Sequence, residues 1–272
     1  MRITRFRDGA DVDRVIEVLQ AQGQEAQNAA NNNPGRSATE MAQAYLRWTE
    51  TAEGQLRNVL LVEDVAAIIY TDRHWVLARS RGDEPRLISM ALAELYEQAR
   101  ILNAFTAELK HQRERWRYAP GILVVPDTNV FLRPDVKVQD IDWPVAMNSR
   151  VDVRLVVPIV VVHELDRLKR QGNSTAAKAA RIALRWLTEV LPPEPTARSM
   201  PWSSTNPTTT IEVYVHDGPS RPGDADGIII DVTKWLRLVA NRPATRLVTY
   251  DLGMRLRANS QGVAVQQLPE TE

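Results

Sequence analysis

The chain has 272 residues, with 34 Lys+Arg against 34 Asp+Glu, 44% hydrophobic residues and 25% charged residues. That length accommodates one large domain or two ordinary ones around a real core, and the absence of cysteine excludes disulfides, thiolate metal sites and cysteine nucleophiles. Zero net charge, with 16 basic and 17 acidic residues through Ala119 and 18 and 17 after it, excludes a nucleic-acid binder that works through bulk basicity, so any such contact relies on local patches.

A chain without cysteine suits a reducing cytoplasm. The opening stretch MRITRFRDGADVDR lacks the apolar core of a signal peptide, and no apolar run nears the ~18 residues of a membrane span. The expectation is a soluble cytoplasmic protein with no membrane contact. Residues 1–119 read as a mostly helical region of unassigned role. Ala10, Val12, Val15, Ile16, Val18 and Leu19 form a helix-period apolar face, and a polar Gln/Asn/Ala stretch follows through Asn33. Pro34–Gly35 breaks the chain, and Ser37 with Glu40 has the spacing of a capping box that opens a second helix bearing Met41, Tyr45 and Trp48 on one side. Gln55–Tyr70 is ambiguous between helix and strand.

Pro85 starts a long periodic segment, Leu87–Arg117, with Leu92, Leu95, Tyr96, Ala99, Leu102 and Leu109 on the stripe expected to be buried. Its basic end, Lys110 to Arg117 around Trp116, suits either a phosphate backbone or a solvated last turn whose cations complement the helix dipole. His74 and His111 have no partners at metal-ligand spacing and read as surface or boundary residues.

Past Ala119–Pro120–Gly121 the pattern changes to strands alternating with helices, the signature of βαβ units and an α/β fold over residues 120–272. Strands are expected at Leu123–Val125, Arg154–Pro158, Ile211–Val215, Arg246–Asp251 and, as an edge, Val263–Val265. Helices are expected at Ala176–Val190, from Gly223–Gly227 through Val239, and at Leu252–Ala258. Gly172–Thr175 reads as a loop, and the Pro/Ser/Thr-rich Pro193–Thr210 as a mobile surface loop.

The acids fall in a pattern. Asp127 ends the first strand and Asp251 the fourth; Glu164 starts the helix after the second, and Asp224 and Asp226 the helix after the third. In a parallel sheet these positions share one edge, the edge where open α/β sheets bind ligands. Carboxylates gathered there repel one another, and a divalent cation relieves that cost. Oxygen-only ligands suit Mg²⁺ or Mn²⁺ rather than Zn²⁺, and such ions serve phosphodiester hydrolysis.

Four segments then resemble, in order and spacing, the motifs of PIN-domain nucleases. They are Pro126-Asp127-Thr128-Asn129-Val130-Phe131-Leu132, Val160 to Lys169 around His163-Glu164-Leu165-Asp166, Asp224-Ala225-Asp226-Gly227-Ile228-Ile229, and Leu247 to Ala258 around Thr249-Tyr250-Asp251. The second has the form found in larger bacterial PIN proteins. The resemblance spans residues 121 to about 268. It implies a central parallel sheet flanked by helices and a metal-dependent endoribonuclease acting on single-stranded RNA.

Asp127, Glu164, Asp226 and Asp251 match its acidic quartet, Asp224 standing as an additional acid. Thr128, Asn129 and Thr249 lie beside the quartet, where bonds to carboxylates or to the metal's waters and plain turn or cap roles both suit them. Asp166 is expected to pair with Lys169 or Arg170, since residues two apart do not share a helix face, and His163 takes no catalytic role. Arg167, Lys169, Arg170, Lys178 and Arg181 on one side, and Arg255 and Arg257 on the other, are positioned either for phosphates or for solvated helix faces. The helical front region and the Pro193–Thr210 insertion depart from the compact toxin members. A homodimer and an antitoxin or other protein partner follow from the resemblance alone. Two other readings stay open: a DNA or flap nuclease with the same metal chemistry, and a nucleic-acid-binding or scaffolding protein of little activity, against which the intact acids argue.

Overall fold

The computed structural model describes residues 6–7, 9–32, 35–80, 84–117, 121–191, 200–203, 206–215, 224–241 and 244–268. The chain divides into two compact units, Thr4–Arg117 and a second made mainly of Tyr118–Glu272.

The first unit is helical: α1 (Val12–Asn31), α2 (Ala38–Leu56), α3 (Val62–Ile69), α4 (Asp72–Arg79) and α5 (Pro85–Arg117). Asp11 caps α1, accepting from the backbone N–H of Asp13 and Arg14, and Ser37 with Glu40 forms the full reciprocal capping box of α2. Met41, Tyr45 and Trp48 are buried on one face of α2, and Val12, Val15, Ile16 and Leu19 on one face of α1. Gly23 lets α1 approach α5 closely, since a Cβ there would fall 2.6 Å from Asn103 Oδ1. The ambiguous stretch before Tyr70 resolves as helix α3, preceded by an isolated antiparallel bridge between Phe6 and Leu60.

Three expectations for this unit need correction. Tyr96 is off the buried stripe of α5: it is 49% exposed, and its hydroxyl donates to Asn31 Oδ1. Leu92 is only partly buried; Leu95, Ala99, Leu102 and Leu109 of the expected stripe are buried, and Leu87, Ala91 and Phe105 join them. His74 is buried, 3.1 Å from the Tyr45 hydroxyl through Nδ1, because α4 packs back over α2. Trp116 is 0% exposed and donates to Gln112, while Arg113 pairs with Asp13 of α1; this ring is spent on packing, not offered to a base.

The second unit is built on a six-stranded sheet: β1 (Ile122–Pro126), β2 (Val153–Pro158), β3 (Met200–Ser203), β4 (Asn206–Tyr214), β5 (Arg246–Val248) and β6 (Val265–Gln266). The order is β3-β4-β2-β1-β5-β6, with β3 antiparallel to β4 and all other pairs parallel. Helices α6 (Thr128–Phe131), α7 (Trp143–Ala146), α8 (Ile159–Leu168), α9 (Thr175–Val190), α10 (Ala225–Val239) and α11 (Leu252–Ser260) complete it. Every residue of β1 and β2 is buried, which is why those strands read as apolar runs, broken in β2 only by Arg154: helices cover both faces of a parallel sheet. The chain runs from β1 outward through β2 to β4, then returns to the other side of β1 at β5. The switch point therefore lies between β1 and β5, where such sheets open a crevice.

The Pro193–Thr210 loop expectation is corrected in part. Residues 200–203 and 206–210 lie in β3 and β4, where pairing with β2 overrides a loop-like composition; residues 192–199 and 204–205 lie outside the described residues. Glu164 does not open its helix either. Helix α8 starts directly after Pro158, so Glu164 falls in its second turn.

Gly121 enters β1 with φ of +81°, and a Cβ there would sit 1.8 Å from the Asp152 carbonyl oxygen. That same oxygen accepts from Ile122 N–H at 2.8 Å, so it cannot retreat without breaking the first bond between β1 and β2. Gly121→Ala is expected to cost ~2 kcal/mol or more, measured as a fall in the urea midpoint of the full chain.

Candidate active site at the strand ends

Asp127 follows β1 immediately and extends the ladder, its N–H donating to Val248 O at 2.9 Å. It is 5% exposed. Its Oδ1 caps α6 by accepting from Thr128 N–H at 2.6 Å, and Oδ2 accepts from the Thr249 hydroxyl at 2.8 Å. Burial pushes the carboxyl up from 3.8 to about 6; the bonds from Thr249 and Thr128 pull it down, and the charges of Asp226 and Glu164 push it further up.

Thr249, past the end of β5, ties the group together. Its hydroxyl oxygen also accepts from Asn129 Nδ2 at 3.2 Å and from Asp251 N–H at 3.0 Å. Asn129 Oδ1 in turn accepts from Tyr250 N–H at 3.3 Å, so Asn129 braces the β5 exit without touching a carboxylate. Thr128 Oγ1 donates to Glu164 Oε2 at 2.5 Å, drawing the second turn of α8 toward the end of β1. Asp251 caps α11 through Met254 N–H at 2.7 Å and is exposed.

On α10, Asp224 is the cap, accepting from Gly227 N–H at 3.1 Å. A Cβ at Gly227 would lie 2.3 Å from Asp224 Oδ2, so the glycine makes room for that cap. Asp226 is raised by burial first and then by Asp251, with Arg257 opposing and Glu164 and Asp224 adding to the rise. The structure thus brings Asp127, Glu164, Asp224, Asp226 and Asp251 into one electrostatic group at the switch point.

The cations divide. Arg257 reaches Asp224 at 3.0 Å and Asp226 at 3.9 Å, a position inside the acid group. Arg167 lies 3.6 Å from Glu164, and Lys169 pairs with Asp166. Arg181 donates to the carbonyls of Gly172 and Lys169, holding the α8–α9 turn, and Arg255 donates to Gln267. Arg170 and Lys178 are exposed. His163 is exposed on α8.

Sequence reasoning missed Arg133 and Tyr250. Arg133 Nη1 donates to the Tyr250 hydroxyl at 2.6 Å, its guanidinium stands 4.7 Å above that ring, and it pairs with Asp135. No periodicity marks Arg133; its only signal is a position just beyond the first motif.

The donor set of hard oxygens, with two carboxyls raised first by burial and then by neighbouring acids, fits a hard divalent cation. As the side chains stand, no three His, Asp or Glu residues among the described residues close around one point. The acids share an edge without closing on a single point.

Comparison with known proteins places the chain. The PIN-domain family profile matches residues 124–268, and no curated protein sequence matches. A solved structure, a domain of a functionally unknown protein from Methanocaldococcus jannaschii DSM 2661, is similar over 56% of this chain and 94% of its own, at 21% identity and a TM-score of 0.37. The profile covers more than half of the 272 residues and contains all five acids, and on that match the chain belongs to the PIN-domain family, a family of nucleases.

Proposed function

We propose that the protein is an endoribonuclease that hydrolyses phosphodiester bonds of single-stranded RNA at the acid edge, with Mg²⁺ or Mn²⁺ held by Asp127, Glu164, Asp226 and Asp251 and with Asp224 beside them. A bound divalent cation supplies an activated water and offsets charge on the phosphoryl oxygens. The chain's own residues do the rest. Thr249 and Thr128 fix the orientations of Asp127 and Glu164 through the bonds at 2.8 and 2.5 Å, so that each carboxylate presents a chosen oxygen. Arg257 partly neutralises Asp224 and Asp226, and exposed Arg170 and Lys178 would take phosphates on either side of the cleaved bond. RNA as substrate rests on the likeness of the four motifs to the endoribonuclease members of the family.

The observation that carries the proposal is the buried Asp127 carboxyl, raised to about 6, at the switch point of the sheet among four further acids. The test is incubation of a circular single-stranded RNA, and of a DNA circle of the same sequence, with Mg²⁺, Mn²⁺ or EDTA. Linearised RNA with either metal and none with EDTA is the expected result; cutting of DNA alone overturns the substrate, and no cutting with any metal overturns the activity.

A further inference from the structure

A cavity of about 210 Å³ opens beside the acid edge, lined among others by Phe131, Ile182 and Trp186, with Arg133, Lys137 and Lys178 at the same wall. We propose that it is a base-binding subsite, taking one nucleobase of the single-stranded substrate on the flank of the cleaved bond; the ligand class rests on the nuclease reading above, and the geometry does not.

The lining has the two components such a subsite requires. Phe131 and Trp186 are aromatic and largely buried, so their positions are set by the core, while Ile182 of α9 is 50% exposed at the surface of the same wall. Exposing an apolar side chain of that size beside a cavity costs burial that a ring stacked there would restore. Lys137 and Lys178 are exposed, and neither makes an ion pair with a described residue. An apolar slot with cations beside it complements a base joined to phosphates, the pairing that single-strand sites use. The volume is below the roughly 300–1,000 Å³ of sites that enclose a drug-sized ligand, which suits one ring system rather than a whole dinucleotide.

The cavity is also joined to the acids. Phe131 ends the one-turn helix that Asp127 caps, and Arg133 spans from the cavity to the Tyr250 hydroxyl at 2.6 Å. Tyr250 stands between Thr249, which bonds Asp127, and Asp251. A base seated in the cavity therefore fixes where the adjoining phosphate meets the carboxylates, and it gives the enzyme a preference at one position beside the cut.

The test reads binding without cleavage. A labelled single-stranded RNA oligomer and an abasic ribose-phosphate oligomer of the same length are titrated with the full chain in EDTA, by fluorescence anisotropy. Wild type is expected to bind the base-bearing oligomer about tenfold or more tighter. Ile182→Asn, a neutral change at a half-exposed position, is expected to cut that preference severalfold. The double variant Lys137→Ala/Lys178→Ala is expected to weaken both oligomers alike and to flatten the salt dependence by about 1.4 in the log–log slope. Equal affinity for the two oligomers, or a preference that survives Ile182→Asn, overturns the subsite; in that case the wall suits an apolar side chain of a protein partner. A base preference in a protein that cuts nothing sinks the nuclease reading alone, and metal-dependent cutting with no base preference sinks the subsite alone.

Discussion

Asp127→Asn is expected to lose metal-dependent cleavage by about a thousandfold or more and, at the same time, to melt higher than wild type at pH 8 in EDTA. The activity loss follows from the several kcal/mol of charge stabilisation that an ion held there supplies, equivalent to about a thousandfold in rate. The stability gain follows from linkage. The folded-state pKa of Asp127 is about 6 against an ordinary 3.8, so between those values the folded chain binds more protons than the unfolded one. Stability therefore falls as pH rises from about 4 through 6, and above 6 the cost is fully present, on the order of 3 kcal/mol. Asparagine keeps the shape and an acceptor for Thr128 N–H but carries no charge; its amide nitrogen in place of Oδ2 gives up the bond from the Thr249 hydroxyl, which offsets part of the gain. The difference in Tm between mutant and wild type should be small near pH 4 and largest above pH 7. Added Mg²⁺ should raise the Tm of wild type and leave that of the mutant in place. A mutant that cleaves normally removes Asp127 from the site, and one no more stable at pH 8 shows that its charge is well tolerated.

Arg154→Ala carries the largest expected loss of stability. Arg154 of β2 and Glu212 of β4 form an ion pair at 2.9 Å inside the sheet, both side chains buried. Truncating one partner leaves the other buried without this ion pair, at a cost of about 3–5 kcal/mol. For a unit of this size that corresponds to a fall in Tm of roughly 10 °C, at 2–4 °C per kcal/mol. Glu212→Ala should cost a similar amount. The double variant Arg154→Leu/Glu212→Leu should recover most of the loss, because an apolar pair of comparable volume removes both desolvation penalties. Thermal denaturation of the three variants checks this, and equal losses for the single and double variants would show that packing, not charge, sets the cost.

How much of this was legible in the sequence depended on burial. Strands β1 and β2 are covered on both faces, so their apolar runs and the acid that follows β1 announce a parallel sheet and its functional edge. The capping box of Ser37 and Glu40 is equally local and equally readable. Where tertiary pairing decides, local signals mislead. The Thr-rich start of β4 looks like loop until β2 offers it a ladder. The β-branched run Ile159–Val162 continues a strand by propensity, yet it turns into α8 at Pro158, moving Glu164 a turn inward. His74 and Trp116 are buried by packing against Tyr45 and within α5, contacts that spacing cannot express. Helices α6 and α7 are a single turn each, too short to leave a period. Likewise the role of Arg133 depends on Tyr250, 117 residues away.

The pairing of β1 with β5 joins Val124–Pro126 to Arg246–Val248, segments separated by more than a hundred intervening residues. Such contacts close a very long loop and form late, after the shorter-range β1–β2 ladder. During synthesis the chain emerges with Asp127 and Glu164 well ahead of Asp251, and a domain folds as a unit once its segments are present. The acid edge is thus completed only once residues 246–251 have left the ribosome and paired beside β1. On the function proposed above, a chain still tethered to the ribosome carries an incomplete acid edge until β5 docks beside β1.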